Sequence, residues 1–447
     1  MVLSDPQLAL VERPIESRIW LEGPAGSGKT TAGVARLLRL LDAGAPARAI
    51  LVIVPQRTLA SAYYETLRRP TIQPGGQVTI ATVGGLAQRM VDLFWPLVAE
   101  EAGFAHPDQP PTFLTLETAQ YYMARLARPL LDQGYFESIV IDRNRLYSQI
   151  IDNLNKAAVV GFPYTEIGAR LKAAWGGEQT QRHIYDEAQA CATLFREHCL
   201  AHNLLDFSLQ LEVFTTFLWP GRSTPSGDGS AGTLCRDYLL ETYTHLIVDN
   251  VEEDTPVAHD LLREWLSYCR SALLICDDEA GYRRFLGADP ENARALGELC
   301  DERVAFAESF VTSPDLRGLE GALTQSLDQS IEKRVADEKG EPGNPQAALA
   351  FEVHRYHPQM LDWVADEIER LIRKKEVPPG EIVVLAPFLT DALRFSLTNR
   401  LEAKDIPVRS HRPSRALREE PATRCLLTLA ALAHPGWAIC PSRYDVA

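Results

Sequence analysis

The chain has 447 residues, 46% of them hydrophobic and 23% charged, which at ~150 residues per domain predicts about three domains or subdomains with a sizeable core. No apolar run approaches the ~18 residues that span a bilayer, and the opening MVLSDPQLALVERPIESRIW is broken by acids and prolines, so it reads as folded protein rather than as a signal peptide. The net charge of −15 argues against a simple basic nucleic-acid binder, and eight cysteines without a Cys-x-x-Cys pair exclude a disulfide scaffold and a structural zinc or iron–sulfur site, which predicts a cytoplasmic chain.

Short apolar runs alternate with helical patterns along the chain, the mark of an α/β fold. Strands are predicted at Arg18–Glu22, Ala49–Pro55, Val78–Thr82, His245–Asp249, Ala272–Asp277 and Glu381–Ala386. Most are rich in Val, Ile and Leu without polar alternation, as in parallel strands covered on both faces. Several end in Gly, Thr or Asp, at the edge where open parallel sheets collect ligands. Between roughly residues 105 and 205 the strand signals vanish, and Thr115–Leu131, Arg143–Ala158 and Thr180–His202 read as amphipathic helices, hence a helical insertion. Pro220–Gly232 reads as an exposed loop and residues 325–348 as a polar link. From residue 349 a βα pattern restarts, with FEVHRY, a helix through Arg373, a strand to Ala386 and a helix to Ala403.

The most specific motif is Gly23-Pro24-Ala25-Gly26-Ser27-Gly28-Lys29-Thr30, between the strand IWLE and the helix TTAGVARLLRLL. It fits G-x-x-x-x-G-K-[ST] in its proper strand–helix context. Glycines let backbone N–H groups turn toward phosphates, and the helix N-terminus adds positive dipole there. Lys29 is expected on the β- and γ-phosphates and Thr30 on Mg2+. A second acid is needed at the end of a neighbouring strand, and Asp249, closing Thr244-His-Leu-Ile-Val-Asp249, is the expected metal ligand. A third segment, Ala272 to Pro290, is a strand ending in acids followed by an aromatic and basic turn around Tyr282.

Taken in order, these segments resemble the UvrD/PcrA-like superfamily 1 DNA helicases. Leu3-Ser-Asp-Pro-Gln7 resembles the adenine-reading Gln motif ahead of the P-loop. Ile50–Leu67 resembles the motif that contacts single-stranded DNA, with Arg57 on it. Val78–Val91 resembles the "TFHS" segment, keeping Thr82 but placing Val83, Gly84 and Gly85 where the family has Phe-His-Ser. Asn203-Leu-Leu-Asp206-Phe207 resembles the "DF" turn, residues 244–257 the DExx box, residues 272–290 the "GDxxQSIYxFRGA" motif, and Glu381–Val408 the opening of the second motor domain.

The resemblance implies a P-loop (RecA-like) α/β fold. Residues 1–104 and 206–324 would form the first motor domain, 105–205 the helical insertion, 325–348 a linker and 349–447 part of a second RecA-like domain. It implies ATP-driven translocation on single-stranded or partly duplex DNA, in repair or recombination and away from membranes. ATP and Mg2+ would be held by Gln7, Gly23, Pro24, Ala25, Gly26, Ser27, Gly28, Lys29, Thr30 and Thr31, with Thr30 and Asp249 on the metal. Arg57, Thr82 and Tyr282 would touch DNA.

Departures from the family pattern open a second reading. Asn250 stands where the family's general-base Glu follows the metal-binding Asp, and it takes no proton at neutral pH; Glu253 is the carboxylate offered in its place. Ala280 replaces the Gln that links γ-phosphate to DNA, Leu286 replaces an Arg, and Arg317 is the nearest match to the arginine of "NYRS". The family's later motifs, one supplying an arginine finger worth ~10³–10⁵ in rate, have no counterpart, so a fragment of a longer protein is expected. The alternatives are a hydrolysis-deficient helicase-like subunit that binds DNA or a nuclease or second helicase partner, and a P-loop ATPase unrelated to DNA. Arg409, Arg412, Arg415 and Arg418 form a candidate phosphate groove, with a solvated face as the plainer alternative. Tyr63, Tyr64, Phe94, Trp95 and Tyr282 are candidate base-stacking rings, with packing as theirs.

Overall fold

The computed structural model describes residues 2–68, 76–177, 182–219, 230–278, 280–327, 343–410, 421–437, 441 and 446. Its centre is the parallel sheet that the apolar runs predict. Numbered in chain order, the strands are β1 (Arg18–Glu22), β2 (Ile50–Ile53), β3 (Thr79–Ala81), β4 (Thr112–Phe113), β5 (Leu204–Leu205), β6 (His245–Asp249), β7 (Ser271–Ile275) and β8 (Glu302–Ala305). Six of them form one sheet in the order β3-β2-β6-β7-β1-β8, every neighbouring pair parallel. Side chains alternate between its faces, as strand geometry requires. Trp20, Leu51, Ile53, Leu246, Val248 and Leu274 enter one core, and Ile19, Leu21, Val52, Ile247, Leu273 and Ile275 enter the other. That double burial is why these strands carry no polar alternation.

The helices that cover the sheet start where local chemistry favours it. Helix α1 (Asp5–Val11) follows Ser4, and the Gln7 side chain reaches back to accept from the Ser4 N–H at 3.0 Å. Helix α2 (Lys29–Asp42) leaves the P-loop at Gly28, whose φ of 77° places it in the left-handed region. After it come α3 (Ser61–Leu67) and α4 (Val83–Val98), the latter capped by Thr82, whose Oγ1 accepts from the Gly85 N–H at 3.0 Å.

The helical stretch comprises α5 (Leu116–Asp132), α6 (Arg143–Val160), α7 (Ile167–Ala174) and α8 (His183–Ala201). The short parallel pair β4 and β5, a two-stranded sheet of its own, joins the chain before this stretch to the chain after it, so the two ends of the stretch lie together. Asp206 then caps α9 (Phe207–Val213) through the N–H groups of Ser208 and Leu209. Helices α10 (Ala231–Thr242), α11 (Pro256–Trp265) and α12 (Pro290–Ala295) complete this part.

The chain divides into two compact units, residues 1–312 and 313–447. The second contains α13 (Pro314–Leu327), α14 (Pro345–Ala348), α15 (His357–Lys375), α16 (Asp391–Glu402) and α17 (Pro421–Ala433). A small core of Ala365, Ile368, Leu401 and Ile406 joins α15 to the α16 region.

Several expectations are corrected. Among the described residues of 313–447 there is no strand. FEVHRY and residues 382–386 lie outside any strand, with Phe351, Val353, Val383 and Leu385 exposed. Strand propensity reflects fit to a neighbouring strand, and among the described residues no strand pairs with them. Conversely, β8 escapes the sequence reading because it is an edge strand with alternating partial burial. The expected helix start at Thr180 and Arg412, Arg415 and Arg418 lie outside the described residues, while Arg409 is exposed. Among the described residues, no helix is long and apolar enough to cross a membrane.

Candidate nucleotide-binding site

Parallel strands bring the chemistry to one edge. The P-loop follows β1, Asp249 closes β6, and Asp277 follows β7, which runs between them. The P-loop is built tightly. A Cβ on Gly28 would stand 2.1 Å from the Gln7 amide nitrogen, which donates at 3.3 Å to the carbonyls of both Ser27 and Gly28. Only glycine tolerates both that approach and the positive φ.

Lys29 is buried, and its ammonium donates to the carbonyls of Gly23 (2.7 Å) and Pro24 (2.6 Å) and to Asp277 Oδ2 (3.2 Å). These are acceptors that phosphate oxygens replace in kind. Asp249 is 1% exposed. Its Oδ2 accepts from the Tyr63 hydroxyl at 2.9 Å, and its Oδ1 is buried without a hydrogen bond. Burial raises the Asp249 carboxyl, opposed by the Tyr63 hydrogen bond, by the neighbouring Thr30 hydroxyl and Asn250 N–H, and by the charge of Lys29. Burial also raises the Tyr63 phenol well above its ordinary value, with the Asp249 charge acting the same way, so it stays a donor. A lysine, a threonine hydroxyl, backbone N–H groups at a helix start and a buried carboxylate oxygen lacking a partner fit a nucleoside triphosphate with its divalent metal. Beside the loop, Val2, Leu3, Ser4, Gln7, Gly26, Gly28, Thr31 and Phe310 line a pocket. Phe310 is held there because its N–H donates to the Gly26 carbonyl at 3.0 Å.

A family comparison agrees with this geometry. Residues 5–93 match the family model of the DEAD/DEAH box helicases. The match runs from α1 through the P-loop and β3 into α4, so a helicase-type, ATP-binding segment occupies the part of the chain that carries Lys29 and Thr30. The match covers 89 of the 447 residues and suggests nucleic-acid-dependent ATPase chemistry for that segment. No curated protein matches the chain.

Within this helicase-type frame the remaining expected residues separate. Asn250 adopts the left-handed conformation, φ 61°, and its amide donates to Glu252 at 3.4 Å. Glu253, offered as the replacement base, has both oxygens engaged. They accept from the N–H groups of Gly281 (3.0 Å), Tyr282 (3.2 Å) and Arg283 (3.3 Å), so this carboxylate fastens the turn after β7. Glu252 is the fully buried one, and it accepts from the Asp277 N–H at 3.0 Å.

Gln7 is buried with both ends of its amide bonded to protein, so adenine would have to displace one of those bonds. Arg57 is exposed on the turn after β2, Thr82 is half-buried after β3, and Tyr282 is 80% exposed after β7. All three follow the carboxyl edge. Tyr63 and Trp95 are buried, which removes them as stacking rings, whereas Tyr64 keeps a partly exposed ring. Arg317 lies on α13, in the second unit. Sequence reasoning missed Asp277 as the partner of Lys29, Tyr63 as the partner of Asp249, and Phe310. None has a local signal, because each reaches its partner across more than one element.

Proposed function

We propose that this chain is a UvrD-like, ATP-dependent helicase or translocase that binds ATP–Mg2+ and single-stranded or partly duplex DNA, in DNA repair or recombination within the cytoplasm. The observation that supports it most is the pairing of Lys29 and Thr30 after β1 with Asp249 at the end of β6, one strand apart, with Asp249 Oδ1 free of other bonds. In this reading Lys29 exchanges the carbonyls of Gly23 and Pro24 for phosphate oxygens. Thr30 and Asp249 hold the metal, and Phe310 closes the base end of the pocket. Bound Mg2+ would neutralise charge on the β- and γ-phosphates. Arg57, Thr82 and Tyr282, on the same edge, would meet the DNA strand.

A second reading, a hydrolysis-deficient helicase-like subunit that binds DNA or a nuclease or helicase partner, is favoured by the engagement of Glu253 with the 281–283 backbone and by Asn250 beside Asp249. ATP hydrolysis measured with and without single-stranded DNA, with single-stranded RNA as a parallel arm, tests both. Stimulation by DNA that disappears in Lys29→Ala is the expected result. ATP and DNA binding without turnover selects the second reading, and stimulation by RNA alone overturns the DNA assignment.

A further inference from the structure

Tyr63 is wholly buried on α3, yet its hydroxyl donates to Asp249 Oδ2 at 2.9 Å across the helix that carries the P-loop lysine. The crossing is possible because of Gly33, one turn along α2 from Lys29. A Cβ at Gly33 would stand 2.5 Å from the Tyr63 hydroxyl and 2.7 Å from Ile275 Cδ1. A small residue, a long aromatic and a buried acid on three elements therefore meet at one bond. Asp249 Oδ1 is left buried with no hydrogen bond. A buried carboxylate oxygen without a partner, beside the P-loop lysine and threonine, leaves an acceptor that a bound group can complete. Outer-partner hydrogen bonds that orient a ligating carboxylate are a general device of metal sites.

We propose that Tyr63 is a positioning residue for the metal-side acid: its hydroxyl clamps Oδ2 of Asp249 so that Oδ1 faces a divalent cation accompanying a nucleoside triphosphate. This rests on the nucleotide-site reading above. Tyr63 touches neither nucleotide nor cation, and Gly33 is part of the device because any larger residue there blocks the phenol.

The test is the Mg2+ dependence of binding of a fluorescent ATP analogue to the whole chain, as wild type, Tyr63→Phe, Asp249→Asn and the double variant, with a metal-free titration beside each. Direct Mn2+ binding is followed by electron paramagnetic resonance. Tyr63→Phe is expected to raise the Mg2+ or Mn2+ concentration for half-saturation about tenfold, the equivalent of ~1.4 kcal/mol, and to leave metal-free nucleotide affinity unchanged. In the Asp249→Asn background it should change nothing further, because the two residues act as one unit. Unaltered metal dependence in Tyr63→Phe, an equal loss in the metal-free titration, or additive losses in the double variant would each overturn the proposal while leaving the nucleotide site standing. A wild-type chain that binds no nucleotide under any condition overturns the site reading and this proposal together.

Discussion

Replacing Gly33 by alanine sets two effects of opposite sign against each other. Gly33 lies inside α2, where Ala is better than Gly by ~0.8–1.0 kcal/mol on intrinsic helix propensity. Helix chemistry alone therefore predicts a more stable protein. Packing predicts the reverse. The new methyl would stand 2.5 Å from the Tyr63 hydroxyl and 2.7 Å from Ile275 Cδ1, both closer than atoms approach without displacement. Tyr63 and Ile275 are buried and have little room to yield. Overpacking of this kind costs ~1–3 kcal/mol. Pushing the phenol off Asp249 Oδ2 forfeits a hydrogen bond to a carboxylate, ~1.5–3 kcal/mol more. After subtracting the helix gain, the balance is a destabilisation of about 1.5–5 kcal/mol. Urea unfolding followed by the fluorescence of buried Trp20 and Trp265 measures it as a fall in midpoint at unchanged slope. Tyr63→Phe is the informative background, because removing the oxygen relieves the closest contact and should shrink the effect of Gly33→Ala. A midpoint that rises in Gly33→Ala would refute the reasoning, since propensity would then outweigh the contacts.

Two further predictions concern other buried charges. Arg196, 1% exposed on α8, bonds Asp206 Oδ1 at 3.2 Å and Ser208 Oγ at 3.1 Å and pairs with Glu212 Oε2 at 3.1 Å; Arg196→Ala strands these carboxylates, so stability should fall by ~3–5 kcal/mol and hydrogen exchange should quicken first in α8 and α9. A loss below ~1 kcal/mol in urea unfolding would show that the network carries little. Burial pushes the carboxyls of Glu252 and Asp254 up to about 7. The folded chain then holds protons that the unfolded chain releases, so stability should fall as pH rises from the ordinary carboxylate range, ~4, through about 7. Glu252→Gln should flatten that fall, and an unaltered pH slope would assign it elsewhere.

Most of the frame is legible in the residues because it depends on local pattern. Arg18–Glu22 and His245–Asp249 are strands at the predicted bounds, since unbroken apolar runs are what doubly covered parallel strands require. The P-loop is legible for the same kind of reason: glycines, a lysine and a threonine at fixed spacing suffice to state phosphate chemistry. The edge strand β8 was not legible, because partial exposure removes the signal that marks its neighbours. The strands expected at 351–356 and 381–386 fail on the opposite ground, having the composition of strands without a strand among the described residues to pair with.

Within the site, the division follows how far each contact reaches. Sequence by itself offered Lys29, Thr30 and Asp249 as candidates for one site, because each sits at the end or start of an element whose pattern announces it. Which carboxylate does what was decided only by tertiary structure. Glu253 and Glu252 are adjacent in the chain, yet one fastens the turn at 281–283 and the other lies fully buried against the Asp277 N–H. Tyr63, an aromatic that the sequence offers to DNA with core packing as the plainer alternative, meets Asp249 only because α2 carries a glycine where the two must cross. Such contacts join residues far apart in sequence, and a linear pattern records the period of an element but not which elements the packed core brings together.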